Sequence, residues 1–162
     1  FPEEIGADRL ANSLAAHTFF KTPSIVIDFG TATTFDIVTQ DGGYEGGVIV
    51  PGPQGYLDFL HQNTSLLPLV NIDFNKPISN AIGKSTVEAM ELGVRFGYRS
   101  MIMGILDELF EFFEDSYNTP EIILAGGAVK GVGIPNAKVS PNLTLEGLAL
   151  AFQKNHGEGL KP

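Results

Sequence analysis

The segment Ile25–Asp36 reads IVIDFGTATTFD, and it decides the fold of this chain. Its short β-branched run predicts a buried strand that ends at Asp28, and Gly30 with the threonines after it predicts a tight turn into a second strand. Such a turn brings backbone N–H groups, hydroxyls and a carboxylate together, and these groups hold phosphate oxygens and the cations that accompany them. Burying a carboxylate is costly unless it is paired or binds a cation. Asp28 is therefore a candidate cation ligand.

The rest of the chain extends this pattern into an α/β domain. Two more strands follow the first through tight turns, which predicts an antiparallel three-strand meander. A fourth strand comes after two helices, so the predicted sheet is mixed, with flanking helices. The predicted helices cover residues 8–20, 54–67, 85–114 and 143–155, and the predicted strands cover 24–29, 33–39, 44–50 and 121–125. Residues 1–156 form one predicted lobe, and residues 157–162 form a flexible tail.

Composition excludes several classes of protein. Hydrophobic residues make up 43% of the 162 residues, which supports a proper core. The formal net charge of −9 disfavours binding to nucleic acid or to an anionic membrane. The chain has no Cys, and its three His are scattered, so neither a disulfide framework nor a thiolate metal site is expected. With no apolar stretch long enough to span a bilayer, we expect a cytoplasmic protein. Because the first residue is Phe1, we expect a piece of a longer chain.

Apolar periodicity predicts which helix faces are buried. The first helix places Leu10, Leu14 and Ala15 on its apolar face. The long helix contains three glycines, each costing up to about 1 kcal/mol relative to alanine. We interpret them as points of close packing against a neighbouring helix or sheet. They are Gly93, Gly97 and Gly104.

The sequence Gly6-Ala7-Asp8-Arg9 stands at the predicted start of the first helix. An isolated Asp at such a position commonly caps the helix, and Arg9 is then a solvated surface charge. The functional interpretation is that Asp8 accepts a proton while Arg9 binds a carboxylate. These four residues alone do not decide between the two.

Two glycine clusters further along the chain invite a nucleotide-binding interpretation. Gly83-Lys84-Ser85 imitates the end of a Walker-type phosphate loop, but Ile78 stands where the upstream glycine belongs and no strand precedes it. We therefore reject that loop and predict that Ser85 or Thr86 caps the long helix, with Glu88 completing a capping box. Gly126-Gly127 follows the fourth strand, and is either a plain strand-to-helix turn or a point where the backbone approaches a nucleotide.

In this order and spacing the clusters resemble type III pantothenate kinase, a family of the acetate/sugar kinase–Hsp70–actin superfamily. The resemblance runs from about Pro2 to Asn155. The matching segments are Glu4–Arg9, Asp28–Asp36, Gly46–Gly52, Ile82–Thr86, Gly126-Gly127 and Leu143–Leu148. It implies a ribonuclease H-like (actin-like ATPase) lobe and the ATP-dependent phosphorylation of pantothenate to 4′-phosphopantothenate, the first step of coenzyme A synthesis.

The resemblance also implies roles for individual residues. Asp8 would be the general base that takes the proton from the pantothenate hydroxyl. Asp28 would bind a monovalent cation, and Thr31, Gly126 and Gly127 would contact ATP. The substrate site would be lined by Gly6, Ala7, Asp8, Arg9 and Thr86.

The implied cofactors are ATP, Mg²⁺ and a monovalent cation, K⁺ or NH₄⁺. The implied partners are pantothenate, ATP and a second copy of the chain in a homodimer, with no nucleic acid and no membrane. The substrate pocket of such a homodimer would lie near the interface between the two copies.

One departure from the family pattern matters most. The family carries its main phosphate loop, an Asp-x-Gly-Asn-Thr segment, in an N-terminal lobe, and this sequence contains no such segment. We therefore expect the C-terminal lobe of the kinase, inactive or nearly so by itself. Two alternatives stay open: a non-catalytic pantothenate- or nucleotide-binding accessory or regulatory protein of the same family, and a superfamily kinase that acts on another small alcohol or a carboxylate.

Overall fold

The computed structural model describes residues 2–113, 119–127 and 132–156. Its helices are a short 3₁₀ turn at Pro2–Glu4, then α1 (Ala7–Phe19), α2 (Pro53–Gln62), α3 (Thr86–Phe112) and α4 (Leu143–His156). Its strands are β1 (Ser24–Phe29), β2 (Ala32–Thr39), β3 (Gly43–Pro51), β4 (Glu121–Ala125) and β5 (Lys138–Val139). The predicted tail, residues 157–162, lies outside the described residues. No helix in the described part of the chain is both long and apolar enough to cross a bilayer.

The strands form one five-stranded sheet in the order β3-β2-β1-β4-β5. β2 pairs antiparallel with both β1 and β3, which is the predicted meander. β4 lies parallel to β1 on its other side, and β5 lies parallel to β4. This order confirms the predicted ribonuclease H-like (actin-like ATPase) lobe with a mixed sheet. The two-residue β5 was not predicted, because its length is too short for a periodic pattern.

Each face of the sheet packs against a different pair of helices. Successive residues of β1 point to opposite faces, so Ile25 and Ile27 join the core under α2 and α3 while Val26 joins the core under α1 and α4. The second core is built from small residues, because α1 and α4 approach closely. A Cβ at Gly147 of α4 would lie 1.9 Å from the backbone oxygen of Ala11 of α1.

Three expectations about the helices are wrong. Leu10 is 42% exposed, because the face of α1 that meets α4 and the sheet carries alanines and small polar residues. α2 ends at Gln62, five residues before the predicted end at residue 67, and His61 Nδ1 lies 2.9 Å from the backbone oxygen of Leu67 in the connection that follows. The α3 glycines do not mark close packing within the chain: a Cβ at any of the three would meet no atom within 4 Å.

The start of α3 confirms the rejection of a Walker-type loop. Ser85 is the N-cap, and its hydroxyl accepts a hydrogen bond from the backbone N–H of Glu88 at 3.2 Å. The Glu88 carboxylate in turn accepts from the backbone N–H of Lys84 at 2.7 Å. These reciprocal bonds form a capping box displaced by one residue. The Gly-Lys-Ser segment therefore caps the start of α3, as predicted.

Candidate functional site

Asp28 lies where two parallel strands end side by side. It is the partner of Ala125 in the β1–β4 pairing, so Gly126 follows directly beside it. Gly126 has a φ of +88°, and a Cβ there would lie 2.4 Å from Asp28 Oδ1 and 2.5 Å from the backbone oxygen of Phe29. Only glycine fits both this backbone conformation and this space. The carboxyl edge of parallel strands is where open α/β sheets bind ligands.

Two oxygen atoms beside Gly126 could hold a cation. A carboxylate oxygen and a backbone carbonyl oxygen both face the cradle that a Cβ at Gly126 would fill. Hard cations prefer such oxygen ligands. No group of three or more His, Asp or Glu side chains within the described ranges could hold a metal ion by itself.

We expect Gly126→Ala to lower the free energy of unfolding by about 2–4 kcal/mol, because the new methyl group is strained at positive φ and overlaps Asp28 and Phe29. The matched control is Gly127→Ala, since a Cβ at Gly127 would meet nothing within 4 Å and its φ is not positive. Denaturant unfolding measures both variants. Equal stability losses in the two variants would contradict the close packing of Gly126 against Asp28 and Phe29.

The turn after β1 lines a cleft of about 570 Å³. Thr31 and Gly127, both predicted to contact ATP, lie on its wall together with the start of α2. The turn is held from below by Gly52, whose backbone N–H donates to the Thr31 carbonyl at 2.9 Å. Gly126 does not line this cleft but lies next to Gly127, at the end of β4. The structure thus brings together the residues predicted for the nucleotide.

The connection between α2 and α3 forms the opposite wall of this cleft. Side chains of both helices hold it in place. Gln54 of α2 donates to the Val70 carbonyl at 2.8 Å and accepts from the Ile72 N–H at 2.9 Å. The buried Arg95 of α3 donates to the carbonyl oxygens of Asp73 and Lys76. Sequence reasoning missed Arg95, although an arginine inside the apolar periodicity of α3 is a detectable exception.

A hydroxyl pair links the turn after β1 to α3. The hydroxyl of Tyr98 shares a short, buried hydrogen bond with Thr33 Oγ1, two residues beyond Thr31. Burial raises the pKa of Tyr98 to about 12. The tyrosine ring packs edge-on against Phe29, at 6.4 Å between centroids. The start of β2 is thereby fixed against α3.

Asp8 lies in the first turn of α1 with its side chain exposed. Gly6 is the N-cap, without a side-chain capping bond, so Asp8 is not the capping residue. Its Oδ1 accepts a hydrogen bond from the backbone N–H of Arg9 at 2.9 Å. A Cβ at Gly6 would lie 2.5 Å from that same oxygen, so a larger residue there would require the Asp8 side chain to move. An exposed carboxylate at a helix start is accessible to a substrate hydroxyl.

Arg9 forms a buried ion pair that the sequence analysis missed. Its Nη2 lies 2.6 Å from Asp36 Oδ1, and its Nε donates to the same oxygen at 2.7 Å. Thr34 Oγ1 donates to Asp36 Oδ2 at 3.1 Å, and the Tyr44 ring lies under the guanidinium at 5.5 Å. A Cβ at Gly47 would lie 1.9 Å from the backbone oxygen of Phe35 and 2.8 Å from Arg9 Nη2, so the glycine leaves room for both.

Burial raises the pKa of the Asp36 carboxyl above its ordinary value, and the hydrogen bond and charge of Arg9 counteract that rise only in part. The only sign of this role in the sequence is that Asp36, an acidic residue, interrupts the apolar pattern of β2. Asn12 is a second buried polar residue that was missed, and its amide donates to Asp28 Oδ2 at 2.7 Å.

Thr86 lies far from the other residues predicted to bind the substrate. It lines an apolar groove of about 630 Å³ between α2 and α3. At the other end of α3, Leu109 and Phe112 share a cleft with Gly47, the residue beside Arg9. The 27 residues of α3 span about 40 Å at about 1.5 Å per residue. Within one chain, Thr86 therefore does not join Gly6, Ala7, Asp8 and Arg9.

Known proteins resemble this chain in sequence and in fold. The profile of the type III pantothenate kinase family matches residues 1–108. A type III pantothenate kinase from Acidiphilium cryptum is 41% identical over 99% of this chain and 59% of its own length. One from Akkermansia muciniphila is 43% identical over 95% of this chain and 62% of its own length. The chain thus spans about three fifths of the length of these curated relatives.

Among solved structures, a protein from Campylobacter jejuni named for the Baf family of transcriptional activators aligns with a TM-score of 0.62. The alignment covers 96% of this chain and 67% of that one at 20% identity, which shows a common fold and no more. The family profile and the curated relatives show that this chain belongs to the type III pantothenate kinase family.

Proposed function

We propose that this chain is the C-terminal lobe of a cytoplasmic pantothenate kinase that forms 4′-phosphopantothenate from ATP and pantothenate. The observation that carries the proposal is the placement of the exposed Asp8 carboxylate at the start of α1, hydrogen-bonded to the backbone of Arg9. The identity of the two substrates, pantothenate and ATP, is inferred from membership of the family. The part of the relatives' length that this chain does not span would supply the phosphate loop.

In the proposed reaction the primary hydroxyl of pantothenate attacks the γ-phosphorus of ATP. The new O–P bond forms as the bond from that phosphorus to the β–γ bridging oxygen breaks, and ADP leaves. Asp8 takes the hydroxyl proton, and its exposed side chain leaves it open to that proton. Phosphoryl transfer depends mainly on positioning and charge neutralisation, so a single carboxylate base suffices on this side.

Gly6, Ala7 and Arg9 would line the pantothenate site around Asp8. Arg9 is held in one orientation by Asp36, so its remaining N–H donors are pre-positioned for the substrate carboxylate. This arrangement lowers the ordering cost of binding, because the long side chain is already immobilised.

Asp28 would hold the monovalent cation, K⁺ or NH₄⁺, against the Gly126 cradle, and Thr31 with Gly127 would contact ATP, which carries Mg²⁺. The bound cation would supply positive charge where the phosphate charge accumulates. Thr31 and Gly127 line one cleft, and Asp28 lies beside Gly126, the residue that precedes Gly127, which supports this assignment.

The test is an assay of product formation with ATP, Mg²⁺, K⁺ and pantothenate. We expect turnover by the full-length protein and turnover near background by the 162-residue chain alone. Robust turnover by the chain alone would refute the need for a second lobe. Pantothenate binding without phosphorylation by the full-length protein would instead favour the accessory or regulatory protein, and phosphorylation of a different alcohol would favour another superfamily kinase.

A homodimer completes this proposal. Thr86 and Asp8 are too far apart to contact one pantothenate molecule within a chain, so a second copy would supply Thr86. The groove that contains Thr86 is apolar, and Phe59 at its edge is 62% exposed. Gly93 and Gly97 line the same groove and leave open space, which a helix of a second copy could fill.

We expect Phe59→Asp to convert the dimer to a monomer, because the charge would be buried in an apolar interface. Phe152→Asp is the matched control, since Phe152 is 60% exposed on α4, away from the groove. Sedimentation equilibrium of the full-length variants reports the oligomeric state. A Phe59→Asp variant that stays dimeric would show that the two copies meet elsewhere.

A further inference from the structure

A polar side chain, that of Asn12, is buried near the centre of α1. Asn12 is 1% exposed, and the same helix also buries Ala15 and Ala16, which belong to the core formed by α1, α4 and the sheet. An uncompensated amide at such a site destabilises the fold, whereas an apolar residue would not. Both ends of this amide are satisfied. Its Nδ2 donates to Asp28 Oδ2 at 2.7 Å, and its Oδ1 accepts from Thr144 Oγ1 at 2.7 Å.

These two bonds set the orientation of the amide. An ionised carboxylate can only accept hydrogen bonds, so the NH₂ group of Asn12 must face Asp28. The amide oxygen then faces Thr144, whose hydroxyl donates to it. Hydrogen bonds therefore connect Thr144 of α4 to Asn12 of α1, and Asn12 to the Oδ2 atom of Asp28 in β1.

The other oxygen of Asp28, Oδ1, accepts no hydrogen bond from the described residues. Oδ1 lies close to Gly126, where a Cβ would come within 2.4 Å of it, and close to the Phe29 carbonyl oxygen at the ends of β1 and β4. With Oδ2 held by Asn12, the carboxylate cannot rotate without breaking a hydrogen bond to a charged group, which contributes about 1.5–3 kcal/mol. Partners of this kind orient ligating carboxylates and tune their affinity for cations.

We propose that Asn12, supported by Thr144, is a positioning residue for the cation site, which holds the Asp28 carboxylate so that Oδ1 faces the bound monovalent cation. This inference rests on the proposed role of Asp28 in cation binding. It adds a link from that site to α4, since the last member of the chain lies in the first turn of α4. Nothing in the sequence pattern pairs position 12 with position 144, so only the tertiary packing of α1 on α4 brings these two side chains together.

The test is a titration of the thermal unfolding midpoint of the full-length protein with KCl, with choline chloride keeping the ionic strength constant. A ligand that binds only the folded state raises the free energy of unfolding by RT ln(1 + c/Kd), where c is its free concentration, so fitting the midpoint against the K⁺ concentration gives the half-saturating concentration, Kd, without any activity. We expect Asn12→Leu to raise that concentration about 10–100-fold. Thr144→Val, which removes one neutral hydrogen bond, should raise it about two- to tenfold.

Ser13→Ala is the matched control. Ser13 is the buried neighbour of Asn12 on α1, and its hydroxyl has no hydrogen-bond partner among the described residues. Because this substitution removes a buried hydroxyl without such a partner, we expect it not to lower the midpoint and to leave the half-saturating K⁺ concentration unchanged. If Asn12→Leu does not fold, Thr144→Val carries the test, because its side chain does not contact Asp28.

The outcomes separate the two proposals. A wild-type midpoint that does not respond to K⁺ overturns the cation site at Asp28, and the role of Asn12 with it. A wild-type response that persists with unchanged half-saturation in the Asn12 and Thr144 variants overturns only the positioning role. Weakened K⁺ binding in those variants, with Ser13→Ala like wild type, supports the inference.

Discussion

Asp8→Asn is expected to lower kcat for pantothenate phosphorylation by about 10²–10⁴-fold, with the fold unchanged. Asparagine has nearly the same shape as aspartate, and its Oδ1 can still accept the hydrogen bond that the backbone N–H of Arg9 donates to Asp8 at 2.9 Å. It cannot take a proton from the substrate hydroxyl. Steady-state kinetics in saturating K⁺ and ATP measure the effect, and a thermal melt shows that the fold is intact.

Asp41→Asn is the control for Asp8→Asn. Asp41 is also an exposed aspartate, but it lies in the hairpin turn between β2 and β3, and we expect kcat to be unchanged there. A result in which Asp8→Asn raises KM and leaves kcat unchanged would make Asp8 a binding residue and not the base. The pantothenate dissociation constant, measured separately, distinguishes these cases.

Arg9→Met is expected to lower the free energy of unfolding by about 3–5 kcal/mol near pH 7. The substitution leaves the fully buried Asp36 carboxylate without its cation, while the hydrogen bond from Thr34 remains. Replacing both partners, in Arg9→Met/Asp36→Leu, should recover most of that loss, because no buried charge is then left unpaired. Denaturant unfolding of Arg9→Met, of Asp36→Leu and of the double variant completes the double-mutant cycle.

The control for the ion pair is Lys138→Met. Lys138 Nζ lies 2.6 Å from Glu121 Oε1, the same separation as in the Arg9–Asp36 pair, but the lysine side chain is 53% exposed. We expect a loss of about 0–1 kcal/mol there, since water screens the pair. Equal losses in Arg9→Met and Lys138→Met would contradict the argument from burial.

The pH dependence of Arg9→Met follows from the pKa of Asp36. Burial raises the pKa of Asp36 in the folded protein above the model-peptide value of 3.8, so the folded protein binds this proton more tightly than the unfolded chain. Stability from this group is present at low pH and is lost as the pH rises from 3.8 through the folded pKa. Removing Arg9 raises that pKa further. The destabilisation caused by Arg9→Met should therefore shrink as the pH falls through the raised pKa of Asp36, because a protonated carboxyl carries no charge that needs Arg9.

The sequence predicted the elements that local chemistry controls. The alternation in β2 and β3 with its tight turns defined the meander, and the Ser85-to-Glu88 spacing predicted the cap of α3. Asp28 was identifiable because a carboxylate at the end of a β-branched run conflicts with burial. The end of α2 was predicted five residues too late because apolar residues such as Leu67 continue its pattern while contacting the core from a non-helical connection.

What the sequence by itself determined is therefore the order of the strands and helices, the turn after Asp28 and the family of the chain, because these depend on residues close together in the chain. The tertiary structure alone decided that Arg9 pairs with Asp36 and that Asn12 joins Asp28 to Thr144, across 27, 16 and 132 positions. It also decided that Thr86 lies at the far end of α3 from Asp8. These pairings depend on which helix packs on which face of the sheet, and the hydrophobic pattern of a single element does not contain that information.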